Sequence, residues 1–115
     1  MNKYKYLILI FLMSTNVAAQ EVIGVANMYE VDFVRVDRSG KGYVNFKNDL
    51  VGTPATCTQA TYRAALAFDT NSDGGKSILS IALTAKASGK AIYAKGTGSC
   101  SVYGVMEDWN WGYVK

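Results

Sequence analysis

The chain has 115 residues, half of them hydrophobic, with 12 Lys and Arg against 9 Asp and Glu, no histidine, one proline and two cysteines. That length supports one domain with a real core, not two. The missing histidine excludes Ser-His-Asp and Cys-His catalysis, histidine general bases and nearly all zinc and transition-metal sites. Basic residues are scattered without a stripe or cluster, which argues against nucleic acid or an anionic membrane as partner.

The first stretch, "MNKYKYLILIFLMSTNVAAQ", reads as a secretory signal peptide. Lys3 and Lys5 form the positive start, Tyr6–Met13 the apolar run, and Val17-Ala18-Ala19 the small residues before a cleavage site. The run is too short to span a bilayer, so no stable membrane insertion is expected. Cleavage near Ala19 leaves Gln20–Lys115 as a single, nearly neutral domain, secreted or periplasmic. In such a compartment Cys57 and Cys100 read as one disulfide.

"EVIGVANMY" (Glu21–Tyr29) reads as part of the first strand, or as an edge strand just before it, with Gly24 marking a bulge or bend. "VDFVRV" (Val31–Val36) and "YVNF" (Tyr43–Phe46) are β-rich and joined by a hairpin containing Gly40 and Gly42. The polar stretch Asn48–Gln59, with the sole proline Pro54, reads as a loop. "TYRAALAF" (Thr61–Phe68) alternates as a third strand.

"DTNSDGGKS" (Asp69–Ser77) half-matches two ligand motifs. A phosphate-binding loop needs glycine where Thr70 stands, which rejects that reading. Asp69, Asn71 and Asp73 sit at positions 1, 3 and 5 of a calcium loop, but Ser80 replaces the bidentate glutamate at position 12. The simpler reading is a helix start capped by Ser72 or Asp73. A helix then runs to about Ser88, ended by Gly89. Its residues Ser77, Ser80, Thr84 and Ser88 form a hydroxyl stripe in which Lys86 is the only nearby charge. The stripe is either a weakly polar outer side or a face turned toward identical helices in a homo-oligomer.

"AIYAK" (Ala91–Lys95) reads as a strand, followed by a Gly/Ser loop that holds Cys100. In "YGVMEDWNWGYVK" a period of two places Val105, Glu107, Trp109, Trp111 and Tyr113 on one face. Trp109, Trp111 and Tyr113, with Asp108 and Asn110 between them, are either inward-facing core or a sugar platform. Glu107 and Asp108 are the one carboxylate pair worth testing as a glycosidase couple, but adjacent strand residues point to opposite sides. The expectation is therefore no enzyme, no cofactor and no metal.

The element order is β-β-β-α-β-β, mainly β with one helix after the third strand. That is the order of a small OB-fold-like Greek-key barrel, with an open α+β sheet carrying one packed helix as the alternative. A signal peptide, this order, and one cysteine before the third strand with another after the fourth resemble the binding subunits of bacterial AB5-type toxins. The subtilase cytotoxin and pertussis-like branch is the nearest. "GKSILSIALTAKASGKAIYAKGTGSC" (Gly75–Cys100) carries the likeness, which extends to small exported bacterial proteins with the same helix–GK–strand pattern. The resemblance implies ring-forming OB-fold subunits that bind glycans, with the helix lining a central pore. It transfers no sugar-contacting residue to this chain. The expected function is an exported, non-catalytic binding module, with a glycan or glycoprotein as partner. The alternative is a periplasmic structural or inhibitory module that binds another protein.

Overall fold

The computed structural model describes residues 21–115, so the segment read as a signal peptide, with its expected cleavage site, lies outside the described residues. The described elements are β1 (Gly24–Tyr29), β2 (Val31–Val36), β3 (Lys41–Phe46), β4 (Val51–Gly52), a 3-10 turn (Ala60–Tyr62), β5 (Ala65–Asp69), α1 (Asp73–Ser88), β6 (Ile92–Gly96) and β7 (Trp109–Val114). They form two antiparallel sheets, ordered β4-β1-β6-β7 and β2-β3-β5. The chain is mainly β with one helix, as the element order predicts.

β1 and β2 are one extended run bent at Glu30, and the bend carries the chain from one sheet into the other. The Glu30 carbonyl accepts from Lys47 N at 3.0 Å, and the Glu30 and Lys47 side chains pair at 2.7 Å. At the opposite seam β5 meets the residues before β7 through a single parallel bridge, Ala67 to Asp108. The ring is thus joined at one side and only touched at the other. It has the connectivity of an OB-type barrel without continuous closure.

Of the two readings of Glu21–Tyr29, the structure keeps the continuous first strand and drops the edge strand, because β4 and β6 flank β1. Two local readings differ from the structure. The bulge in β1 falls at Met28, not Gly24: the register shifts between Asn27 and Tyr29, and Met28 holds a φ of 58°. Gly24 is instead a close-packing position, where an added Cβ would lie 2.9 Å from Leu50 and 3.1 Å from Glu107 Oε1. The alternating run Thr61–Phe68 is not one strand. Phe46 N and Leu50 N bind the carbonyls of Ala64 and Arg63, and regular pairing begins only at Ala65.

The helix ends follow local chemistry. Ser72 Oγ accepts from Gly75 N at 3.0 Å and caps the start. Gly89, in the left-handed region with φ 67°, closes the end through Ala85 O. Helix α1 lies across β2, β5 and β7, and therefore against both sheets. It buries Ala82 and Ala85 on a core built from Val44, Phe46, Leu66 and Ile92. A second cluster, Tyr43, Ala65, Ala67 and Met106, lies on the other face of β2-β3-β5 under the loop that follows Cys100.

Candidate functional site

The register of the four-stranded sheet decides what faces water. Ala26, Ala94 and Gly112 are neighbours across β1, β6 and β7, and Ala26 and Ala94 are fully buried. These small residues admit the indole of Trp109; a Cβ on Gly112 would stand 2.7 Å from its ring. The intervening rows point outward: Val51, Val25, Lys95 and Trp111 in one, Asn27, Tyr93 and Tyr113 in the other.

A bulge separates the C-terminal aromatics. Gly96 pairs with Trp109 but Lys95 pairs with Trp111, so Asn110 is one extra residue in β7. Side-chain direction switches there. Trp109 is 6% exposed in the core, while Trp111 and Tyr113 are 48% and 45% exposed. The period-two reading that put Trp109, Trp111 and Tyr113 on one face is corrected by this bulge. Trp109 is core; Trp111 and Tyr113 are surface.

Tyr93 completes the surface group. Its ring stacks on Tyr113 at a centroid distance of 5.6 Å and lies 5.8 Å from Trp111. Lys95 Nζ sits 5.8 Å from the Trp111 ring centre. Beside Trp111 a cleft of about 460 Å³ opens between the segments Glu21–Ile23 and Gly96–Gly98, with Lys95 and Asn110 on its rim. It offers an indole face, an amide, the Thr97 hydroxyl, an ammonium and the Glu21 carboxylate. Tyr93 alternates within "AIYAK", but only its pairing with Tyr113 on β7 brings it into this group.

The two neighbouring carboxylates are both turned inward. Glu107 has no exposed surface. Its Oε1 accepts from Ala55 N at 2.7 Å and its Oε2 from Gly98 N at 3.0 Å, and Gly24 N is shared between them at 3.1 and 3.0 Å. Asp108, 8% exposed, accepts from Ser101 N at 2.8 Å and Val102 N at 3.0 Å. Asp108 therefore braces the loop after Gly98 and is not a free platform group. Their partners do not overlap: Glu107 binds Gly24, Ala55 and Gly98, while Asp108 binds Ser101 and Val102, at a seam that precedes regular β7.

The same loop is held at two further points. Cys57 and Cys100 form the disulfide, with Cα atoms 6.2 Å apart. Tyr103 donates its hydroxyl to Asp37 on the β2–β3 hairpin, and Arg35 Nε donates to the other oxygen at 2.7 Å. Burial, reinforced by Asp37, pushes the Tyr103 hydroxyl above the ordinary tyrosine range. The Tyr103 hydroxyl and then Arg35 hold Asp37 below its ordinary value.

The remaining candidates lie elsewhere. Ser77, Ser80, Thr84 and Ser88 are all exposed on the outer side of α1, beside Leu83 at 51% exposure. Ser77 and Ser88 return their hydroxyls to the Asp73 and Thr84 carbonyls. In the calcium candidate, Asp69 Oδ1 accepts from the backbone and side-chain nitrogens of Asn71, and Asp73 opens the helix. The Asn71 amide also donates to Ser39 O, and Thr70 binds Gly40 O. The stretch thus caps α1 and clamps the β2–β3 hairpin tip. Among the described residues no group of three or more His, Cys, Asp or Glu side chains could hold a metal ion.

Comparison with known proteins finds no matching family model, no matching curated protein and no matching solved structure.

Proposed function

We propose that this chain is an exported, non-catalytic carbohydrate-binding module that works as a homo-oligomer, in the manner of the toxin binding subunits its residue pattern resembles. One observation carries the reading: Tyr93, Trp111 and Tyr113 form a contiguous aromatic surface on the solvent side of a sheet, next to a polar-rimmed cleft. Aromatic faces cover the apolar face of a pyranose, and the amide, hydroxyl and charged groups at the rim suit its hydroxyls. Solvent-facing aromatics in one patch are unusual unless they serve binding. The disulfide fits an oxidising compartment. No helix among the described residues is long and apolar enough to cross a membrane. The non-catalytic part of the reading is supported by Glu107 and Asp108, whose oxygens accept backbone N–H groups inside the protein.

The test is a glycan array with the unsubstituted chain and with Trp111→Ala. Binding to at least one class of oligosaccharide is expected, and Trp111→Ala should weaken it by about 2 kcal/mol, roughly thirtyfold. Trp111 is half exposed, so its loss leaves the core intact. Silence of the unsubstituted chain across the array sinks the sugar reading. A second reading, a protein-binding module, draws on Val51 and Val25, which extend the aromatic face with apolar surface. Capture of one periplasmic protein that free sugars fail to displace would favour it.

The oligomeric part rests on α1, whose outer side combines the hydroxyl stripe with half-exposed Leu83. Static light scattering at micromolar concentration is expected to report a multimer. A strict monomer refutes that part alone.

A further inference from the structure

We propose that Glu107 is the positioning residue of the cleft, its carboxylate setting the distance between the Glu21–Ile23 wall and the Thr97–Gly98 wall. The inference rests on reading the cleft and its aromatic rim as the binding site, and adds a residue that touches no ligand.

Glu107 is enclosed completely, and among the described residues the salt bridges are Arg35–Asp37 and Lys47–Glu30. A buried carboxylate without a cation is costly unless its oxygens are filled by donors. Here the donors are three backbone N–H groups from segments 83, 52 and 9 residues away. Two of them border the cleft: Gly24 follows one wall directly, and Gly98 belongs to the other. The third, Ala55, lies on the disulfide loop behind.

The packing leaves no slack. A Cβ on Gly96 would overlap the Glu107 carboxylate, so only glycine lets that side chain lie beneath β6. Gly98, at φ 82°, brings its backbone against Val22; a Cβ there would meet Val22 O at 2.6 Å. The two walls therefore touch each other at Gly98 and share one carboxylate beneath. The disulfide, Asp108 and the Tyr103–Asp37 contact hold the loop beyond Gly98, and Glu107 adds the tie on the cleft side.

Glutamine at 107 keeps the shape and converts one acceptor oxygen into a donor facing an N–H. Amide hydrogen exchange by NMR on the unsubstituted chain, Glu107→Gln and a distant core control, Val44→Ala, separates positioning from stability. In Glu107→Gln the Gly24 and Gly98 amides are expected to exchange about tenfold faster or more, the factor for one lost charge-assisted hydrogen bond. Amides between β3 and β5 should keep their rates relative to one another. Val44→Ala should accelerate all of them together. On the same oligosaccharide array, Glu107→Gln should lose binding about tenfold while Val44→Ala, still folded, retains it. An unchanged Gly98 rate in Glu107→Gln, or an acceleration spread evenly over both sheets, overturns the proposal. The unsubstituted chain also decides. Ala55 and Gly98 lie outside every strand, yet their amides should exchange as slowly as those of β6; fast exchange at either overturns the proposal even if Glu107→Gln fails to fold. Slow amides and local loosening without any sugar binding would uphold the positioning role and refute the sugar reading.

Discussion

Replacing Cys57 and Cys100 together by serine is expected to lower the free energy of unfolding by about 4 kcal/mol, the chain-entropy value for a loop of this length. The two cysteines are 43 residues apart in sequence, so the bridge removes a large share of the unfolded chain's freedom. The native state does not depend on it for geometry. Glu107 already joins Ala55 to Gly98, and Gln59 N binds Val105 O at 2.9 Å. The doubly substituted chain should therefore still fold, with its melting temperature lowered by roughly 15–30 °C. Calorimetry in the absence of reductant measures this directly. An unchanged melting temperature would show that the unfolded chain is already compact around these loops.

Gly96→Ala is expected to cost about 3–5 kcal/mol, near the upper end for a single substitution. The added methyl occupies the volume of the Glu107 carboxylate, and Gly96 is itself buried against β7. Either the sheet opens or Glu107 leaves. If it leaves, the Gly24, Ala55 and Gly98 N–H groups lose their acceptor. Each orphaned buried donor costs about 1–3 kcal/mol. Gly74→Ala is the matched control. A Cβ there meets nothing within 4 Å, and the position is inside α1, so alanine should be neutral or stabilise by about 0.5–1 kcal/mol. Urea denaturation of both variants makes the comparison. A loss below about 1 kcal/mol for Gly96→Ala would mean that the carboxylate has room to move. A double-mutant cycle with Glu107→Ala should show strong coupling, since both changes destroy one contact.

How much of the site was legible follows from the reach of each interaction. The helix was readable to its ends because its signals are local. Ser72 Oγ caps an N–H three residues on, and Gly89 closes on Ala85 O. The clamp on the hairpin tip was not, because Asn71 and Thr70 reach back 32 and 30 residues to Ser39 and Gly40. The loop around Pro54 concealed the short strand β4, which exists only because β1 offers it an edge at Gly24 and Val25. The aromatic run near the C-terminus was recognised, but its division was not. Period-two reasoning assumes an uninterrupted ladder, and one extra residue at Asn110 reverses every side chain beyond it.

Composition and local signals suffice for the class of fold, the capped helix, the pairing of the two cysteines and the exclusion of histidine chemistry. Those depend on composition, on count, or on residues a turn apart. Tertiary structure alone decided that Trp109 goes in while Trp111 goes out, that Tyr93 joins the surface group, and that Glu107 is enclosed. Each of these is set by a neighbouring strand or a distant amide, and a carboxylate's fate cannot be read until its donors, 83 and 52 residues away, are in place.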